Sequence, residues 1–281
     1  MKNSFKYLLI ISLLVFAASC AEDDDDDKKT PTDTTTNYFP LASGSYWVYS
    51  RAEVDAEGNV GTPTYEREEV DMEEVVAGHN TTKVNTYESD APNNFGSEAS
   101  ASNNYYNDNG KVYASISFVE QLLTVEALGI TIPLNTEINF IKLIDVNASS
   151  WDVIEIPFND LPLEFNGMNI NFTGTAKLNA KYLGEKAYSN TTLSLNGNVA
   201  AFEYGFEITG NVKLAGFDAG TITVKSTIER WYMKDIGQVK RVDSAVNITG
   251  TGQVAGLISG LGDFPSNVFE LVSYSAVSAG N

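Results

Sequence analysis

The sequence predicts an all-β fold, a single domain formed by a curved antiparallel meander sheet, a half-barrel or open barrel, with at most one or two short helices. Three observations carry this expectation. Apolar residues recur with a period of two rather than 3.6, Asn-Gly and Asp-Gly type steps fall between the alternating runs, and only one stretch has helical spacing. Residues 38–281 make up 244 of the 281, enough for one large β domain without an internal linker.

The alternation is clearest late in the chain. From Met168 through Ile170, Phe172, Ala176, Leu178, Ala180 and Tyr182 the even positions are apolar or small, while the odd ones are Asn, Thr or Lys. Phe202, Tyr204, Phe206, Ile208, Val212 and Leu214 repeat the pattern, as do Ile222, Val224 and Ile228, and then Val242, Val246 and Ile248. Successive strand side chains point to opposite faces, so these runs describe strands with one face buried and one wet. Turns are expected at Asn107-Asp108-Asn109-Gly110, Ala56-Glu57-Gly58-Asn59 and Asn196-Gly197-Asn198, where Gly and Asn supply the positive φ of tight hairpins. Residues 118–128 have the helix-like spacing, with a strand pair as the alternative. Residues 129–166 carry Pro133, Pro157 and Pro162 among apolar runs, which suggests edge strands and irregular loops because proline cannot donate in a ladder.

The amino terminus reads as an address. Lys2 and Lys6 precede an apolar stretch from Tyr7 to Ala18, which ends at Ala17-Ala18-Ser19-Cys20. As a helix those twelve residues reach about 18 Å, short of a hydrocarbon core of about 30 Å, so residues 1–19 are read as a cleaved signal peptide rather than a transmembrane anchor. Cys20 is the sole cysteine, which excludes an internal disulfide framework and suits attachment of diacylglycerol. The junction resembles a bacterial lipobox, although Ala17 stands where Leu is usual. The run Glu22 to Asp27 after it resembles the surface-export signal of Bacteroidota lipoproteins. This implies an outer-membrane lipoprotein anchored through the lipid on Cys20 and facing the cell exterior. Residues 20–37 form an acidic tether whose like charges and Thr/Pro content cannot support a core.

Removing residues 1–19 takes two lysines and no acids from a formal charge of −19, leaving −21. So acidic a chain is unsuited to nucleic acid, which demands clustered Lys and Arg.

Tyr38-Phe39-Pro40-Leu41 with Gly44, Trp47 and Tyr49 opens the folded region, and Trp231-Tyr232-Met233-Lys234-Asp235-Ile236-Gly237-Gln238-Val239-Lys240 lies near its end. Both segments resemble motifs of uncharacterised Bacteroidota lipoproteins and are similar to DUF3108-like, or TapB-like, domains. The resemblance implies an antiparallel β domain with no activity attached. From the residues alone, Pro40 and Gly44 turn the chain into a first strand on which Trp47 and Tyr49 share a face, and Asp235-Ile236-Gly237 turns a hairpin. A core role for these aromatics outweighs a ligand-binding one.

Catalytic signals are sparse, and the chain is expected not to be an enzyme. The single histidine, His79, falls in a turn-like Ala77-Gly78-His79-Asn80 and lacks a Gly-x-Ser-x-Gly elbow. One histidine and one lipidated cysteine cannot build a transition-metal site from N and S ligands, and residues 107–110 lack the spaced acids of a calcium loop. Neither a cofactor nor a metal is expected. Glu66, Glu68, Glu69, Asp71, Glu73 and Glu74 cluster, with Glu66 and Glu68 on one face, and are read as a solvated edge. Thr34 in the tether and Ser244, in an Asp243-Ser244-Ala245 sequence expected to be a strand, resemble short O-glycosylation signals. The leading expectation is a non-enzymatic binding or assembly module for a glycan or protein. The alternatives are a carrier of lipid or another hydrophobe in a half-barrel cavity, motivated by long strands and 11% aromatic residues, and a carboxylate-based hydrolase.

Overall fold

The protein is described by a computed structural model covering residues 37–117, 119, 124–125, 130–131, 139–165, 168–259 and 264–277. Strands dominate. In chain order they are β1 (Tyr46–Val54), β2 (Thr64–Val76), β3 (His79–Ser89), β4 (Ala101–Asp108), β5 (Lys111–Ser115), β6 (Thr124–Val125), β7 (Ile130–Thr131) and β8 (Phe140–Asp145). There follow β9 (Ser150–Phe165), β10 (Met168–Asn190), β11 (Leu195–Leu214), β12 (Phe217–Met233), β13 (Gly237–Asp243), β14 (Asn247–Gly250), a short helix α1 (Gly252–Ile258) and β15 (Ser266–Ser275).

One antiparallel sheet takes in all of these strands but β6 and β7, in the order β8-β5-β4-β3-β2-β1-β15-β13-β12-β11-β10-β9, with β14 alongside β12. Each half is a meander of neighbouring hairpins, and the carboxy-terminal strand β15 enters between β1 and β13 to join them. The outermost strands β8 and β9 are consecutive in sequence. The sheet therefore curls until its ends meet at the short connection 146–149, where Trp151 Nε1 of β9 donates to the Lys142 carbonyl of β8 at 3.0 Å. The result is a nearly closed barrel, the arrangement that right-handed sheet twist favours over a flat array this wide.

The expected strands over 168–182, 202–214 and 222–228 are the cores of β10, β11 and β12. Residues 107–110 turn β4 into β5 with positive φ at Asn109 (51°) and Gly110 (75°), and Pro157 and Pro162 lie in β9 at a sheet edge. Three local expectations differ from the structure. The run Val242 to Ile248 is broken into β13 and β14, because Ser244 N–H donates to the Thr227 carbonyl and Ser226 Oγ donates to the Ser244 carbonyl. The turn assigned to residues 196–198 lies at 191–194 instead, where Ser194 takes the positive φ of 55° and Asn190 Oδ1 accepts from Leu193 N–H. His79 is the first residue of β3, after a turn whose positive φ falls on Ala77 and Gly78. Most of the helix-like segment 118–128 lies outside the described residues; within it, Thr124–Val125 pairs with Ile130–Thr131.

Inside the barrel the alternating faces meet. Phe39, just before β1, packs on Trp47, Tyr105 and Tyr232, rings carried by β1, β4 and β12. These strands stand well apart in the sheet order, so Phe39 spans the interior from one wall to another. Phe202 contacts Trp151, Tyr182 and Tyr232, and Tyr204 donates its hydroxyl to the Leu143 carbonyl at 2.7 Å. Lower in the sheet, Gly174 and Gly210 face one another across β10 and β11, and a Cβ on Gly210 would sit 2.6 Å from the Phe172 ring. The missing side chains let that ring lie over the strand pair.

Candidate functional site

The two terminal motifs are brought together. Trp47 Nε1 donates to the Ile236 carbonyl, Tyr49 Oη donates to the Gln238 carbonyl at 3.2 Å, and Asp235 N–H donates to the Asn37 carbonyl at 2.8 Å. Trp47, Tyr49 and Tyr232 are buried. Their expected core role is what the structure shows. Trp231 points the other way, half-buried on the outer face, with its Nε1 donating to Glu229 at 2.6 Å and the ammonium groups of Lys186 and Lys240 5.1 and 5.3 Å from its ring centre. Those lysines are ion-paired to Glu229 and Glu270.

An electrostatic cluster that the sequence did not reveal sits above this aromatic floor. The expectation of Glu66 and Glu68 as a solvated edge is incorrect. Register sets Glu66 opposite Tyr49 and Glu68 opposite Trp47, so both carboxylates share the face that carries the core aromatics. Arginines make this tolerable, since a buried carboxylate needs a partner. Arg241 lies 3.5 Å from Glu66 and stacks over Phe269 with its Cζ 3.3 Å from the ring centre. Arg230, itself buried, favours the charged form of Glu68. Burial and the neighbouring Glu66 charge push the Glu68 carboxyl up to about 7, against the pull of Arg230, Arg241 and Tyr49. Burial works against charge on Arg230, yet Tyr232, Tyr105, Tyr204 and Glu68 hold its pKa above the usual arginine value. Burial also raises the Tyr105 and Tyr204 hydroxyls well above their ordinary range. The signal for this cluster was present: Arg230 occupies an even position in the run Ile222, Val224, Ile228, Tyr232.

Among the described residues, two openings reach the surface. The smaller, about 340 Å³, is lined by Arg51, Thr64, Tyr65, Glu66, Glu88, Ser89 and Asp90 and gives on to the Glu66 end of the cluster. The larger is a groove of about 910 Å³, at the upper end of the range for ligand sites. One wall is the β1–β2 turn with Glu53, Val54, Asp55 and Glu57, and the other is the end of β13 and the start of β14 with Val242, Val246 and Ile248. Ile258 of α1 and Phe264 complete the apolar part.

Ser244 also lines the groove, in the connection between β13 and β14 rather than in the expected strand. Its hydroxyl lies 2.8 Å from Thr227 Oγ1. Cys20 and Thr34 lie outside the described residues. His79 is exposed and stacks on Tyr106 at 4.4 Å, with Phe140 edge-on. In the 107–110 turn, Asn109 Nδ2 donates to Asp108 Oδ1, and among the described residues no three His, Cys, Asp or Glu side chains group as a metal site would require.

No family model and no curated protein matches the chain, so the likeness to DUF3108-like domains rests on the two motifs alone. Two solved structures are similar. One is a candidate lipoprotein from Parabacteroides distasonis, 13% identical with a TM-score of 0.44, the match covering 85% of this chain and 98% of the other. The second is a candidate exported protein with a YmcC-like fold from Bacteroides fragilis, 11% identical with a TM-score of 0.40, covering 84% and 98%. At these values the likeness carries no functional argument.

Proposed function

We propose that this protein is an outer-membrane lipoprotein, held by lipid on Cys20 and exposed at the cell surface, whose barrel is a non-enzymatic binding or assembly module. The groove of about 910 Å³ carries this reading. It opens outward, combines part-exposed apolar side chains with polar ones, and among the described residues offers no nucleophile paired with an oriented base, the arrangement covalent catalysis needs. Interior packing gives the carrier alternative little support, since the faces of β10 and β11 are buried against the barrel's own side chains at the level of Phe202 and Tyr204.

The test is crosslinking on intact cells with three proteins: wild type, Cys20→Ala and the groove variant Val246→Asp. A partner captured by wild type and lost in both variants supports the reading. Equal capture by all three, or none by any, rejects it. A second reading, a carboxylate-based hydrolase, is favoured by one observation, the inward Glu66 and Glu68 pair with one pKa near neutrality. It requires a glycosidase activity that both Glu66→Gln and Glu68→Gln abolish.

A further inference from the structure

Strand β14 has only one partner among the described residues. Its residues pair with β12 as Ile222↔Gly250, Thr223↔Thr249, Val224↔Ile248 and Lys225↔Asn247, and none of those residues pairs with its other edge. β13, which precedes it on the same side of β12, is covered on both edges because β15 pairs with it. Among the described residues the sheet thus has a gap beside β14, bounded on the far side by Val54 and Ser266. That gap is the larger groove.

Backbone groups are aimed into it. Thr251 N–H donates to the Thr221 carbonyl at 3.0 Å, one step beyond the Ile222↔Gly250 pair. Hydrogen-bonded and non-hydrogen-bonded pairs alternate in an antiparallel ladder. Thr249 and Asn247 therefore face β12, while Gly250 and Ile248 direct N–H and C=O away from it. Gly250 is roofed by α1, where an added Cβ would meet Val254 at 3.0 Å and Ile258 at 3.1 Å. Ile248 lines the groove.

We infer that β14 is a docking edge for an extended segment of a partner protein, which adds as a further strand through the N–H and C=O of Ile248. This rests on the reading of the barrel as a binding module and names its partner's chemistry. An exposed edge is a template for strand addition, with main-chain bonds supplying affinity and alternate side chains supplying selectivity. Val242, Val246, Ile248, Ile258 and Phe264 offer apolar contact to the incoming strand. Glu53, Asp55 and Glu57 stand on the opposite wall, and no Lys or Arg is among the described residues that line the groove. The segment is accordingly apolar at alternate positions and basic at its flank. A second copy of this chain, at a formal charge of −21 without residues 1–19, fits that wall poorly.

The experiment uses the lipidated protein from Cys20 onward in detergent, a labelled peptide Lys-Val-Thr-Val-Thr-Val-Lys and a twin with Glu in place of both Lys. Saturable binding of the basic peptide that weakens with salt is expected, together with slowed hydrogen exchange at the Ile248 amide. Ile248→Pro removes the outward N–H without taking a donor from the ladder to β12, along with one apolar contact, and should weaken binding about tenfold. Glu53→Gln with Glu57→Gln, surface changes that leave folding intact, should weaken it about threefold. Equal binding of the acidic twin overturns the inference, as does unchanged Ile248 exchange, full binding by folded Ile248→Pro, or a dimer that already protects Ile248. If the peptide fails while intact cells still yield a partner that Val246→Asp loses, strand docking falls and the binding module stands. If both fail, the module reading falls as well.

Discussion

Trp47 donates its indole N–H to the carbonyl of Ile236, 189 residues along the chain, and Gly237 beside it leaves the indole its space. Gly237 has φ of +104°, and a Cβ there would lie 2.9 Å from Trp47 Nε1. Gly237→Ala therefore combines backbone strain with a clash in a buried contact, and should cost on the order of 2–4 kcal/mol. Chemical denaturation monitored by tryptophan fluorescence measures it. A loss below about 0.5 kcal/mol, the range of ordinary surface changes, would mean that the two motifs do not lock one another.

Glu68 should make stability fall as pH rises. Its carboxyl is pushed up to about 7 in the fold against 4.5 for an unperturbed glutamate, so between these values the native state holds a proton that the unfolded chain has released. The contribution is fully present below about pH 4.5, declines toward pH 7 and is absent above it. Urea midpoints from pH 4.5 to 8 should show this slope in wild type and lose it in Glu68→Gln. An identical slope in both proteins would assign it to other groups.

Tyr204→Phe should cost about 1–2 kcal/mol, because it leaves the buried Leu143 carbonyl without the hydroxyl that reaches it. Since Leu143 lies on β8 at the sheet end, the variant should also speed amide exchange along β8 more than along β12. Uniform exchange changes would mean that the bond does not help to hold the barrel shut.

If either O-glycosylation signal is used, it should be Thr34. Ser244 is half-buried with its hydroxyl beside Thr227 and its backbone tied to β12, whereas an acceptor must be presented to an enzyme. Intact-mass measurement of protein from its native host should show a glycan lost in Thr34→Ala and retained in Ser244→Ala. Retention in the first and loss in the second would reverse the assignment.

Period-two alternation made the long strands legible, and with them the fold class, because side-chain direction in a strand depends only on position parity. Proline placement likewise marked 129–166 as edge territory, and β8 and β9 are the two ends of the sheet. Less of the candidate site was legible. Glu66 and Glu68 read as solvent-facing because acidic residues flank them; which face of β2 turns inward depends on its register against Trp47 and Tyr49. The groove went unseen because it arises where Ser244 breaks a strand that the pattern continues.

By itself, then, the sequence determined the all-β class and the turn at Asn109-Gly110, since these depend on local chemistry and short-range periodicity. Only the tertiary structure decided that β15 joins the two meanders, that Trp47 meets Ile236, that Arg230 and Arg241 answer Glu68 and Glu66, and that β14 pairs on one edge alone among the described residues. Each of those is a contact between residues far apart in the chain. Strand order and register create such contacts, and no local pattern encodes them.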